Sequence, residues 1–187
     1  MVSSFIILEG PKYSGKTFLR EKLQKLGFET LYVEHSDVNG ASDFWKDRTS
    51  DERNVSFMLG TYVMMAENWR LNCNLVSDRN FLSVCFYHKY KIEGVYFDLW
   101  MNAMRKWDRK RIYVLDSLDY EEESRRIRQR NNCSEDSMYD YYYRQEEKHF
   151  FSDLKNKFGD NPLFYFGSSQ DSWMDITEML GVKEKND

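Results

Sequence analysis

Gly10, Gly15, Lys16 and Thr17, set in the string LEGPKYSGKTFL (residues 8–19), have the types and spacing of a loop that wraps phosphate. GxxxxGK[ST] needs each type for its own reason. Glycines let backbone N–H groups approach an anion without a Cβ in the way, the lysine reaches the β- and γ-phosphates, and the hydroxyl takes a place on Mg²⁺. An accidental Gly-Lys-Thr turn capping a helix is the bland alternative. The context argues against it, because the apolar run FIIL precedes the loop and Leu19, Leu23 and Leu26 recur at helical spacing after it. Gly10, Lys12, Tyr13, Ser14, Gly15, Lys16 and Thr17 are therefore expected to hold a nucleoside triphosphate, ATP with Mg²⁺. The guanine-reading Asn-Lys-x-Asp string is not formed, since NKFG at 156–159 lacks the aspartate, which weighs against a regulatory GTPase.

The second string with chemistry in it is VSDRNFLSVCFYH (76–88), where an apolar run ends in Asp78-Arg79. An acid at that edge can share Mg²⁺ with Thr17, and an adjacent arginine can bridge the transferring phosphoryl group and its acceptor. Read alone, the pair is no more than a surface Asp-Arg ending a strand. Arginines 125, 126, 128 and 130 invite a lid mechanism, in which a guanidinium closes onto the charge that develops during transfer. The alternative is a solvated helix face paired with Glu121, Glu122 and Glu123. Trp45, Phe57, Tyr62 and Tyr87 could form a slot for a stacked base. Tyr139, Tyr143, Glu146 and Phe150, at steps of four, three and four, read as a packing stripe. His35, His88 and His149 have no zinc-like spacing with cysteine or acid, so no structural metal is expected.

These groups need a scaffold that brings strand ends together. Five runs have strand character: 4–9, 30–34, 73–78, 111–116 and 162–167. Short, nearly continuous apolar strands separated by longer helical stretches predict an α/β fold, a parallel sheet covered on both faces. Helices are expected after the loop, ending at Gly27, then over about 53–70, across GVYFDLWMNAMRKW, across MYDYYYRQEEKHFFSDLKNKF and across SWMDITEML. No linker or repeat interrupts the 187 residues, so a single domain over 1–187 is expected, with NNCSEDS (131–137) its best candidate for a mobile loop.

Composition narrows the class. Lys+Arg number 27 against 31 Asp+Glu, a net charge of −4, and the isoelectric point is near 5.5. A protein that grips long nucleic acid draws affinity from a basic face, so a nucleic-acid partner is not expected. Cys73, Cys85 and Cys133 stand far apart and are odd in number, which reads as reduced thiols in the cytoplasm. No apolar run approaches 18 residues, so no membrane partner is expected.

With these residues in view, the chain resembles the thymidylate kinase and deoxynucleoside kinase group of P-loop kinases. Asp78, Arg79, Ser83, Tyr87 and His88 fall where thymidylate kinases show DRxxxSxxAYQ, with Phe86 in place of Ala and His88 in place of Gln. IYVLDSLDYEEESRRIRQR is similar to that family's fourth strand and the arginine-bearing helix leading into its lid, and SMYDYYYRQEEKHFFSDL to the helix after it. The resemblance implies a P-loop NTPase three-layer sandwich, with a five-stranded parallel sheet and a short lid around 125–137. It implies ATP- and Mg²⁺-dependent phosphorylation of a pyrimidine deoxynucleoside monophosphate, or alternatively of a nucleoside 5′-hydroxyl. A polynucleotide end kinase, which the acidic balance disfavours, and a non-catalytic nucleotide-binding module, which would lose Asp78-Arg79 and the lid arginines, are the lesser alternatives. Lys16, Arg79, Arg126 and Arg130 would act on the transferring group, and Thr17 and Asp78 on the metal. Glu34 would be the base toward a nucleoside hydroxyl, a ligand to Mg²⁺ or water, or merely a strand-end carboxylate. Trp45, Phe57, Thr61, Arg79, Ser83 and Tyr87, with Glu34, would surround the acceptor. Two departures stand out: Lys12 occupies a position usually acidic, and Thr61 one usually held by an arginine that grips the acceptor's phosphate, a role left to Arg48, Arg53 or Arg70. Related enzymes commonly pair through helices, so a homodimer is compatible with the resemblance.

Overall fold

The structure, a computed structural model, describes residues 3–32, 73–87, 92–131 and 138–182. The expected helix at 53–70, Glu34, Trp45, Phe57, Thr61, Tyr62, Arg48, Arg53, Arg70, His35, His88 and residues 132–137 of the expected lid lie outside them, as do the side chains of Arg128, Arg130 and Tyr139.

The five strands are β1 (Ser4–Glu9), β2 (Phe28–Tyr32), β3 (Asn74–Asp78), β4 (Arg109–Leu115) and β5 (Phe164–Gly167). They form one sheet in the order β2-β3-β1-β4-β5, and every neighbouring pair is parallel. β1 is central, and all six of its residues are buried. That is why SFIILE is apolar along nearly its whole length, where a half-exposed strand would alternate. β2 begins two residues before the run expected at 30–34, because its pairing with β3 starts at Phe28↔Asn74, and the last two residues of that run lie outside the described residues.

Six helices are described: α1 (Lys16–Lys25), α2 (Phe81–Tyr87), α3 (Val95–Arg105), α4 (Tyr120–Asn131), α5 (Met138–Phe158) and α6 (Ser169–Leu180). Alternation along β1 sorts them into two layers. Ile6 and Leu8 pack with Leu19 and Leu23 of α1 and Ile176 of α6. Phe5 and Ile7 face the other way, against Phe81 and Leu82 of α2, Trp100 and Met104 of α3, and Phe151 and Leu154 of α5. Removing each such Leu, Ile or Phe from water contributes about 1.5–3 kcal/mol. The second face is rich in rings, with Phe158 and Phe164 stacked at 4.7 Å and Phe81 and Trp100 at 4.9 Å.

Two expectations shift by a residue or more. Leu26 is not an inward turn of α1: the helix ends at Lys25, Leu26 is its C-cap, and its side chain is exposed. On α5 the deeply buried line is Arg144, Glu147, Phe151, Leu154 and Phe158, while Glu146 is exposed and Tyr143 and Phe150 are half-buried. The aromatic stripe read from the sequence is thus the shoulder of the buried face.

Candidate functional site

All strands point the same way, so their carboxyl ends share one edge. The phosphate loop leaves β1 there, next to the ends of β3 and β4, since Leu8 pairs with Asp78 and Glu9 with Val114. Chain order reverses on the two sides of β1, and such a switch point leaves a crevice beyond the strand ends.

The loop is held tightly. Gly10 has φ 129°, and an added Cβ would lie 2.7 Å from the Leu115 carbonyl oxygen. Gly15 has φ 105°, and an added Cβ would lie 2.7 Å from Cβ of Ser169, the first residue of α6. Tyr13 also adopts a left-handed φ, 66°. Lys16 is buried and folds over the loop, where its Nζ donates to the carbonyls of Gly10 at 2.7 Å and Pro11 at 2.6 Å and to Ser14 Oγ at 3.3 Å. Burial, reinforced by the Arg79 guanidinium, pulls its pKa down to about 7, while Glu147, Asp78 and Glu9 act the other way.

Asp78-Arg79 stands beside this loop, as expected. Arg79 carries a left-handed φ of 70°, a conformation that costs an L-residue roughly 1–2 kcal/mol. Its N–H donates to Leu8 O at 2.9 Å, and its carbonyl accepts from Ser77 Oγ at 2.7 Å. The backbone kink turns the guanidinium toward α5, where Nη1 meets Glu147 Oε1 at 3.1 Å and Ser83 Oγ at 3.4 Å. The cation also lies over the Tyr87 ring, 5.3 Å from its centroid. Arg79, Ser83 and Tyr87 are therefore brought together.

Asp78 and Thr17 offer hard oxygen donors of the kind Mg²⁺ takes along with phosphate oxygens and water. Thr17 sits on the exposed first turn of α1, and Asp78 Oδ2 accepts from Arg20 Nη1 at 3.1 Å. The donor chemistry fits the ion. On the opposite side of the loop, Arg126 donates through Nη1 to Tyr13 O at 2.8 Å and through Nε to Glu122 Oε1 at 2.7 Å. Arg125 instead makes two bonds to Glu122, both 2.7 Å, and is exposed.

Several positioning groups were not legible as such. Glu9, fully buried at the end of β1, caps α2: Oε1 accepts from the N–H groups of Asn80 at 2.9 Å and Leu82 at 3.1 Å, and Oε2 from Ser83 Oγ. Burial raises its pKa, while Ser83 and Arg79 oppose the rise. Glu147 accepts the Lys12 N–H at 2.8 Å on Oε2, and Arg79 and the Tyr87 hydroxyl, each at 3.1 Å, on Oε1. A carboxylate thus does stand at position 12 of the loop, but it comes from α5. Lys12 itself directs its ammonium over the Tyr143 ring at 5.8 Å. The signal for Glu147 was its place in the line that includes Arg144, Phe151, Leu154 and Phe158, at steps of three and four: a charge on an inward face.

No protein-family model matches the sequence, and no curated protein matches it. Solved structures do match. A deoxyadenosine kinase from M. mycoides, with products dCMP and a flexible dCDP bound, superposes with a TM-score of 0.60 at 14% identity, over 96% of this chain and 100% of that one. The thymidylate kinase from Candida albicans has a TM-score of 0.60 at 16% identity, over 100% and 96%. The thymidylate kinase from Ehrlichia chaffeensis has 0.54 at 14%, over 97% and 100%. The chain has the P-loop fold of the thymidylate and deoxynucleoside kinases. Among the described residues, no helix is long and apolar enough to cross a membrane.

Proposed function

We propose that this protein is a nucleotide or nucleoside kinase, a P-loop kinase domain over residues 1–187 that transfers the γ-phosphoryl group of ATP to a pyrimidine deoxynucleoside monophosphate. The observation that carries the reading is the side-by-side placement of the phosphate loop and Arg79, with Ser83 and Tyr87 at its flank. A bare nucleotide-binding module has no use for a strained, half-buried arginine aimed across the end of β3.

In this reading the loop N–H groups and Lys16 cradle the ATP phosphates, and Arg79 spans donor and acceptor. Arg126, already on the loop carbonyl of Tyr13, and Arg130 add positive charge from the lid. Thr17 and Asp78 hold Mg²⁺, which offsets phosphate charge when bound. Little covalent chemistry is asked of the protein, so rate comes from positioning and electrostatics. The acceptor pocket is completed by Glu34, Trp45, Phe57 and Thr61, the compartment is a reducing cytoplasm, and pairing into a homodimer is compatible with it.

A second reading, a deoxynucleoside kinase with Glu34 as base, is favoured by one feature. Glu147 already balances the charge of Arg79, which leaves that arginine less able to hold an acceptor's phosphate dianion. A coupled ADP-release assay with ATP-Mg²⁺ against deoxynucleosides and their 5′-monophosphates separates the readings. Turnover on monophosphates supports the first, turnover on nucleosides alone selects the second, and turnover on neither defeats both.

A further inference from the structure

Glu147, like Glu9, is a fully buried carboxylate beside the phosphate loop, with a side chain 0% exposed. Burying a carboxylate without partners costs several kcal/mol, so its environment must return that energy. It does so through three donors from three different elements: the Lys12 amide of the loop, the Arg79 guanidinium after β3, and the Tyr87 hydroxyl at the end of α2. Three of the roughly four acceptor sites of a carboxylate are thereby taken up by the protein's own donors. It is not a metal ligand in waiting, because the cation it faces is an arginine.

Its geometry points at the arginine. Arg79 is held at its backbone by Leu8 and Ser77, but a guanidinium at the end of a long side chain still has rotamers to choose among, and an arginine that must bridge two phosphoryl groups has to be in one of them. Nη1 is fixed by Glu147 and Ser83, and the Tyr87 ring closes one face of the plane. The Tyr87 hydroxyl is itself bonded to Glu147 Oε1. One carboxylate therefore aligns both the cation and the ring on which it rests. Through Oε2 it ties the same assembly to the phosphate loop.

We propose that Glu147 is a positioning residue for Arg79, which keeps the guanidinium and the loop backbone at Lys12 in one register for phosphoryl transfer. This rests on the kinase reading, since a register matters only if something is transferred across it. A purely structural Glu147 would matter for stability and leave the chemistry of the folded protein alone.

The test is a double-mutant cycle, Glu147→Gln with Arg79→Ala, read as kcat and KM on the best acceptor, with melting temperatures beside them. Gln is nearly isosteric and keeps an acceptor for one or two of the three donors, so the variant folds. The expected result is a fall in kcat of about 10–100-fold for Glu147→Gln with KM for ATP nearly unchanged, and less than about twofold further loss once Arg79 is already alanine. A lowered melting temperature with wild-type kcat, or losses that multiply independently, would overturn the proposal. A second readout needs no turnover: nitrogen-15 spectra of the Arg79 side chain should show restricted rotation of the guanidinium in wild type, lost in Glu147→Gln. Unchanged rotation overturns Glu147's hold on Arg79. Wild-type protein inert toward every acceptor overturns the kinase reading instead, and the rotation measurement still decides whether Glu147 restrains the arginine.

Discussion

The phosphate loop has two flanks, and each sets an arginine against a glutamate. On the α5 flank Arg79 meets Glu147, with side chains 15% and 0% exposed. On the α4 flank Arg126 meets Glu122, at 34% and 29%. The pairs share their chemistry and differ in how much water surrounds them. Removing one partner of a buried pair strands a charge in a medium that cannot solvate it, at a cost of about 3–5 kcal/mol. A half-exposed pair is screened, and each partner can turn to water. The α5 flank is therefore built as a fixed wall, whereas the α4 flank can exchange its partners with water, or in the proposed reading with phosphate.

The sharpest way to break that contrast is to remove the fixed arginine. Arg79→Ala is expected to lower turnover by about 10³-fold or more, the range for an arginine that stabilises charge on a transferring phosphoryl group. ADP affinity measured by calorimetry should change far less, because in the proposed reading the loop and Lys16 carry most of the phosphate contact. Turnover at the wild-type level would remove Arg79 from the mechanism and with it the main support for a kinase.

Next in size is Gly15→Ala. The α4 flank has exposed side chains but tight backbone, with φ at 105° and Ser169 where a Cβ would go. Strain at such a site costs about 1–3 kcal/mol, so thermal unfolding should shift downward and ADP binding should weaken together. An unaffected melting temperature would show that α6 yields, and that this flank is looser in its backbone as well as its charges.

Lys16 provides a quieter test. With its pKa pulled down to about 7, the amine is largely neutral at about pH 8, and bound phosphate favours the charged form, so binding must take up a proton there. Below about pH 6 the lysine is already protonated and uptake should vanish. Calorimetry of ADP binding in buffers of different ionisation enthalpy reads this directly, and uptake that is the same at both pH values would contradict it. The sign for stability follows: the folded value lies below the ordinary 10.5, so this group disfavours the fold most at low pH, and the penalty is relieved as pH rises from about 7 to 10.5.

How much of this was readable beforehand depended on the period of the signal. Parallel strands buried on both faces write themselves as short apolar runs, and all five were recognisable, with the starts of β2, β4 and β5 each off by two residues because pairing with the neighbouring strand, and not the apolar run, decides where a strand begins. Gly10, Gly15 and Lys16 were recognisable because their spacing is local. Arg79, Ser83 and Tyr87 are near in sequence, and α2 places them together. Glu147 was missed because its meaning is not local: it lies 135 residues from Lys12 and 68 from Arg79, and a run such as Arg144 to Lys148 resembles any solvated helix. Glu9 was hidden in the opposite manner, inside a string whose glycine drew the attention. Its neighbours along the chain give no hint that it caps α2.

The smallest effect tests the other half of the comparison. Arg125 and Arg126 are adjacent, both bonded to Glu122, and composition alone cannot tell them apart. Only Arg126 reaches the loop, through Tyr13 O. If the α4 flank works by letting a guanidinium leave its carboxylate for phosphate, Arg126→Ala should lower kcat by about tenfold with little change in melting temperature. Arg125→Ala should leave both nearly where they are, because Arg125 makes its bonds to Glu122 and none to the loop. Salt gives the control: raising ionic strength screens exposed pairs before buried ones, so it should narrow any difference that Arg125→Ala makes while leaving the Arg79 effect intact. Equal losses for the two variants would mean that the flank acts as a diffuse positive field, and that the single contact to Tyr13 is not what distinguishes Arg126.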